Sequence, residues 1–83
     1  MKINENEKKI NQLFLFLFDK SLKEMKEIES FKKIEKWDSL NFVGLIVGLQ
    51  KEFKVKIGER EFKEIQTFSG LKNFLNSNGI KIN

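Results

Sequence analysis

The sequence contains neither cysteine nor histidine. The first absence removes disulfides and thiolate metal sites, and the two together leave only carboxylates as metal ligands, so a structural zinc is excluded and no metal site is expected. An internal Ser-His-Asp relay is excluded as well, because a serine hydroxyl is a poor nucleophile unless a base takes its proton. Proline is also missing, and Arg60 is the single arginine. Long hydrophobic runs are lacking: the longest, Leu13 to Phe18, covers six residues against the ~20 that a membrane span needs. The start, Met1-Lys2-Ile3-Asn4-Glu5, is charged and polar, so no membrane span is expected and the chain should be soluble and cytoplasmic.

What is present fits one small domain over residues 1–83, with a thin core. Sixteen basic residues face twelve acidic ones, for a net charge of +4 and an isoelectric point of about 9.4. Lys and Glu interleave (Lys23-Glu24, Lys26-Glu27, Glu35-Lys36), with no block of like charge, which is the pattern of a solvated surface. Abundant Lys, Asn, Ile and Phe with no proline also fits an AT-rich coding sequence, a bland source of part of the basic excess. A small basic helical module that binds nucleic acid is one alternative of another class. Against it stand the alternating charges, the lone arginine and the lack of a tight helix-turn-helix signature, so no nucleic-acid partner is expected. A protein-interaction or membrane-surface helix around Leu13 to Phe18 is another, disfavoured by its lysine-poor flank.

Periodicity predicts helices. Ile10, Leu13, Phe14 and Leu17 share one face of a first helix from about Asn4 to Leu22, with Leu15 and Phe16 outside the stripe. From Ser21 to Trp37 a long connection follows, pinned to the core by Met25, Ile28, Phe31 and Ile34, with room for a short helix around Leu22 to Glu29. A second helix starts at Asp38 or Ser39, with Asp38 as its N-cap, and runs to about Phe53. Its wheel gathers Phe42, Leu45, Ile46, Leu49 and Phe53 on one face and Leu40, Val43 and Val47 on an adjoining one. Asn41, Gly44, Gly48, Lys51 and Glu52 fill the remaining sector. The Gly44/Gly48 spacing resembles a close-approach motif, although so short an apolar stretch favours the bland explanation. After an extended Lys54-Val55-Lys56-Ile57-Gly58 come a short helical turn across Glu59 to Ile65 and a last helix, Phe68 to about Ser77. Thr67 caps that helix and Asn78-Gly79 ends it. The expected fold is all-α, with three main helices, one short helix and a long first loop, and with Phe14, Phe18, Leu45, Leu49, Phe68 and Phe74 filling the core.

Asp38-Ser39-Leu40 sits at the mouth of the most apolar helix. A serine there is exposed, and the free N–H groups and dipole of the helix start favour an anion, so a phosphate ester on Ser39 would be well placed. With this motif in that helical order, the chain resembles the acyl carrier proteins, four-helix carriers whose serine in an Asp-Ser-Leu motif bears 4′-phosphopantetheine. The resemblance covers nearly the whole chain. Trp37-Asp38-Ser39-Leu40 matches the motif and Phe31 the aromatic anchor of the first loop. Leu45, Leu49 and Glu52-Phe53 follow the second helix, and Ile57, Ile65, Thr67 and the last helix follow the third and fourth.

The resemblance implies a non-enzymatic phosphoprotein of lipid metabolism, a monomer holding acyl cargo as a thioester on the cofactor's thiol. A separate phosphopantetheinyl transferase, using coenzyme A and magnesium, would load Ser39, and acyl-activating or acyl-transferring enzymes would then use the arm. Asp38 would help fix the helix start, and Leu40 would join the contact surface. The core could also open to enclose an acyl chain. One departure stands out: where the family's second helix carries acids, this chain has Asn41 and Gly44, and Gln50-Lys51 precede a lone Glu52. Loss of those charges, and Trp37 before the motif, argue for a dedicated carrier in a fatty-acyl or specialised pathway rather than bulk fatty-acid biosynthesis. Its partners would recognise Asn41, Phe42, Val43, Gly44, Val47 and Lys51. Aminoacyl, peptidyl and polyketide carriers use the same arm and stay open as alternatives.

Overall fold

The computed structural model describes residues 4–82, and all regular structure among them is helical. Five α-helices follow one another: α1 (Glu5–Phe18), α2 (Leu22–Lys26), α3 (Ser39–Phe53), α4 (Glu59–Glu64) and α5 (Phe68–Ser77), with a single 3-10 turn at Phe31–Lys33. The polar start at Met1 to Ile3 lies outside the described residues. No helix among those described is long and apolar enough to cross a membrane.

Local chemistry sets the ends. Asn4 caps α1 through a 2.7 Å bond from the Glu7 N–H, and Glu7 returns the favour by accepting from the Asn4 N–H. The expected continuation of α1 to Leu22 does not occur. Asp19 turns into the left-handed region at φ 58° and its N–H closes on the Leu15 carbonyl, which stops the helix at Phe18. Ser21 then caps α2 in a second reciprocal pair with Glu24. The Ser21 N–H, and then its hydroxyl, hold the Glu24 carboxyl below its ordinary pKa. The long first connection is therefore not a plain loop: it contains α2 and the 3-10 turn, and α2 ends at Lys26, short of Glu29.

The core is one cluster drawn from every helix but α4, whose Phe62 packs against it half-buried. Ile10, Phe14 and Phe18 of α1 meet Leu45, Ile46 and Leu49 of α3, with Ile65, Leu71, Phe74 and Leu75 closing the far side. Met25, Phe31 and Ile34 are buried and pin the first connection as expected, whereas Ile28 is half-buried. Phe68, expected in the core, is half-buried instead, with the Lys26 ammonium 5.8 Å from its ring centre. Two glycines lie where α1 meets α3. A Cβ on Gly44 would lie 2.9 Å from a Leu17 methyl, and one on Gly48 2.6 Å from a Leu13 methyl. The four-residue glycine spacing makes room for two leucine side chains rather than for a backbone contact, and Leu13 and Leu17 settle over it half-buried rather than deep in the core.

Candidate functional site

Asp38-Ser39-Leu40 lies where the first connection ends and α3 begins. Asp38 is extended (φ −143°) and is the N-cap: its Oδ1 accepts from the Asn41 N–H at 2.7 Å, and its carbonyl accepts from Phe42 at 2.9 Å. Ser39 is the first residue of the helix, and Asp38, Ser39 and Leu40 are all exposed. Such a cap contributes about 0.5–2 kcal/mol. Asp38→Ala is expected to lower stability by that amount in thermal melts, and Asp38→Asn, which keeps an acceptor, to retain most of it.

The motif is held from both sides by aromatic rings. Trp37 stacks on Phe18 at 5.3 Å between ring centres and lies 5.7 Å from Phe31. Phe42, four residues into α3, meets Trp37 at 4.9 Å and Phe62 of α4 edge-on at 5.7 Å. The residues before and after the motif are therefore anchored in the core, and the short stretch between them, with the Ser39 hydroxyl, is presented to solvent. The chain of rings from Phe14 through Phe31 and Trp37 to Phe62 was not legible in the sequence beyond the presence of Trp37 and Phe31. Phe62 carried no periodic signal of its own.

The six residues expected at a partner surface divide. Val43, Val47 and Lys51 are exposed, as Leu40 is. The other three turn inward or are engaged. The Asn41 side-chain amide donates to the Lys36 carbonyl at 2.8 Å and clasps the connection onto the helix start. Phe42 is half-buried between Trp37 and Phe62, and Gly44 faces Leu17 of α1. The open surface of α3 is an apolar row, Leu40, Val43 and Val47, that ends in Lys51.

An anion joined to Ser39 would meet the first-turn N–H groups of Ser39 and Leu40, which point out of the helix start; Asn41 is already served by Asp38. Among the described residues no backbone or buried side chain closes over the exposed hydroxyl, so the residues present suit a phosphate ester there. Among the described residues no group of three potential ligands gathers for a metal ion.

Residues 36–75 match the family model described as "Phosphopantetheine attachment site". The chain carries a phosphopantetheine-binding carrier domain. The matched segment begins just ahead of Asp38-Ser39-Leu40, runs through α3 and α4, and ends inside α5. In this domain 4′-phosphopantetheine is attached covalently, which supplies the thiol that a chain without cysteine lacks. The all-helical architecture agrees with the carrier fold. Comparison with curated proteins finds no match.

Proposed function

We propose that this chain, residues 1–83, is a single-domain monomeric acyl carrier protein of the cytoplasm, and that Ser39 is the residue that bears the arm. The observation that carries the reading is the setting of Ser39: an exposed first helical residue, capped by Asp38 and braced by Trp37 and Phe42, inside the matched segment. In loading, Ser39 Oγ forms a bond to the pantetheine-side phosphorus of coenzyme A and the pyrophosphate P–O bond breaks. Adenosine 3′,5′-bisphosphate leaves with the electron pair, and the hydroxyl proton passes to a base of the transferase. The carrier has no histidine to supply that base.

The pathway is a dedicated one, serving fatty-acyl or specialised biosynthesis with a small set of cognate enzymes. Support comes from the open face of α3, where Leu40, Val43 and Val47 stand exposed and the charges within the helix are Lys51 and Glu52 alone. An enzyme site built from Arg and Lys would find little to pair with on this face.

The test is intact mass after incubation with coenzyme A, magnesium and a broad-specificity phosphopantetheinyl transferase. The wild type is expected to gain ~340 Da, the mass of the added group, and Ser39→Ala to gain nothing. A Ser39→Ala protein that still gains this mass would place the arm on another residue.

A further inference from the structure

Phe16 is 87% exposed and Leu40 78% exposed, in a chain whose other α1 phenylalanines, Phe14 and Phe18, are buried. Patches of this kind on small soluble proteins mark places where something docks. Their positions can be related through the glycine seam. Leu13 and Leu17 rest on Gly48 and Gly44, so α1 and α3 run antiparallel along that line. On α1 the buried residues Ile10, Phe14 and Phe18 lie to one side of the seam, and Phe16, one position before Leu17, lies to the other. On α3, Leu45 and Leu49 face the same core, which puts Leu40, Val43 and Val47 on the side that Phe16 shares. The two helices therefore present Phe16 and the row Leu40, Val43 and Val47 to solvent on the same side of the seam. Lys51 continues the α3 row, and Lys54 follows at its C-cap.

Ser39 lies at one end of this face. The seam pairing sets Phe16 level with about residue 45, six residues beyond Ser39 and so about 9 Å along the axis from it. An enzyme acting on the thiol can work at the far end of a long arm. The enzyme that installs the arm must bring its bound coenzyme A to Ser39 Oγ itself, and a footprint of about 800 Å², usual for a specific complex, is large enough to reach Phe16 from there.

We infer that the solvent face of the α1–α3 seam, with Phe16 as its anchor, is the docking face for the phosphopantetheinyl transferase, which meets it with an apolar recess rimmed by carboxylates. The recess takes Phe16 and Val47; the carboxylates pair with Lys51 and Lys54 at the end away from Ser39. Helix α1, outside the matched segment, thereby takes part in recognition. The inference rests on Ser39 as the loading site, and it concerns how the transferase is recognised.

Steady-state loading by a broad-specificity transferase, with coenzyme A saturating and carrier varied, tests it. Wild type, Phe16→Ser, Val47→Ser and a control on α5, Asn76→Ala, are compared after melting curves show that each is folded. Phe16→Ser is expected to raise KM for the carrier about tenfold, as loss of an interface anchor does, with kcat within about twofold. Val47→Ser should follow in the same direction, the control should match the wild type, and added salt should raise KM. A KM for Phe16→Ser within about twofold of the wild type overturns the inference while leaving Ser39 loading intact. A wild type that gains no mass overturns the loading site instead. Two further outcomes would assign the face to another occupant and also overturn it. One is a wild-type dimer in sedimentation equilibrium that Phe16→Ser dissolves. The other is flotation of the wild type, but not Phe16→Ser, with phosphatidylcholine vesicles with or without phosphatidylserine.

Discussion

Phe31→Ala is expected to cost about 3–5 kcal/mol, the range for removing a fully buried aromatic ring. Phe31 has no exposed surface, meets Phe14 edge-on at 6.0 Å and touches Trp37. Its N–H also donates to the Gln66 carbonyl at 2.8 Å, so the same residue ties the first connection to the link between α4 and α5. At the usual 0.05–0.15 kcal/mol per residue, a chain of this length has roughly 4–12 kcal/mol in all, so the variant would be close to the limit of folding. Its melting midpoint should fall by roughly 15–30 °C. The loss reaches the site through Trp37, which would lose one of the rings that fix the residue ahead of Asp38. A red shift of the single tryptophan's emission in whatever folded fraction remains is therefore expected. A midpoint within a few degrees of the wild type, on the order of 1 kcal/mol, would show that the cluster repacks around the gap.

Gly70→Ala should be the second large effect, and its sign opposes helix propensity. Gly70 lies in the first turn of α5, where its N–H donates to the Thr67 hydroxyl at 3.0 Å. In an open helix alanine would be better by about 1 kcal/mol. Here a Cβ would run into the carbonyl oxygen of Glu64, and its carbonyl carbon would lie 2.9 Å away. Backbone of the preceding helix cannot rotate aside as a side chain can, so α4 and α5 must separate. A net loss of about 2–3 kcal/mol is expected, in the upper range for overpacking. Gly48→Ala is the control. The atom it would approach is a terminal methyl of Leu13, free to turn, and the helix-propensity gain offsets the shift. Urea denaturation should show a lowered midpoint with unchanged slope for Gly70→Ala and little change for Gly48→Ala. Equal stabilities for the two variants would mean that the α4–α5 turn yields as easily as a leucine side chain.

These two residues also mark where sequence and tertiary structure part. Phe31 was legible as an anchor, because an isolated aromatic in a charged connection has few uses other than burial. Gly70 was not, since a glycine within a helical pattern looks like a tolerated weakness until the neighbouring helix is in place. The motif itself was fully legible: Asp38 as cap, Ser39 as first helical residue and Phe53 as the end of α3 follow from the local alternation of cap, apolar period and charge. The same holds for α4 and α5, whose starts after Gly58 and Thr67 match the expected positions. The end of α1 did not, because the left-handed turn at Asp19 competes with a continued helix and the burial of Leu22 in α2 favours the turn.

By its own periods and caps, then, the sequence determined an all-helical fold with Ser39 at the mouth of α3, because capping and amphipathic spacing act within a few residues. Which face of α3 is open was decided only by packing. Asn41 and Phe42 look available on a wheel, yet one clasps the Lys36 carbonyl and the other lies between Trp37 and Phe62. Gly44 disappears beneath Leu17, and the exposed row that is left joins Phe16 from a helix more than twenty residues earlier in the chain. That juxtaposition depends on how closely two helices can approach, a property of the pair that neither segment carries alone.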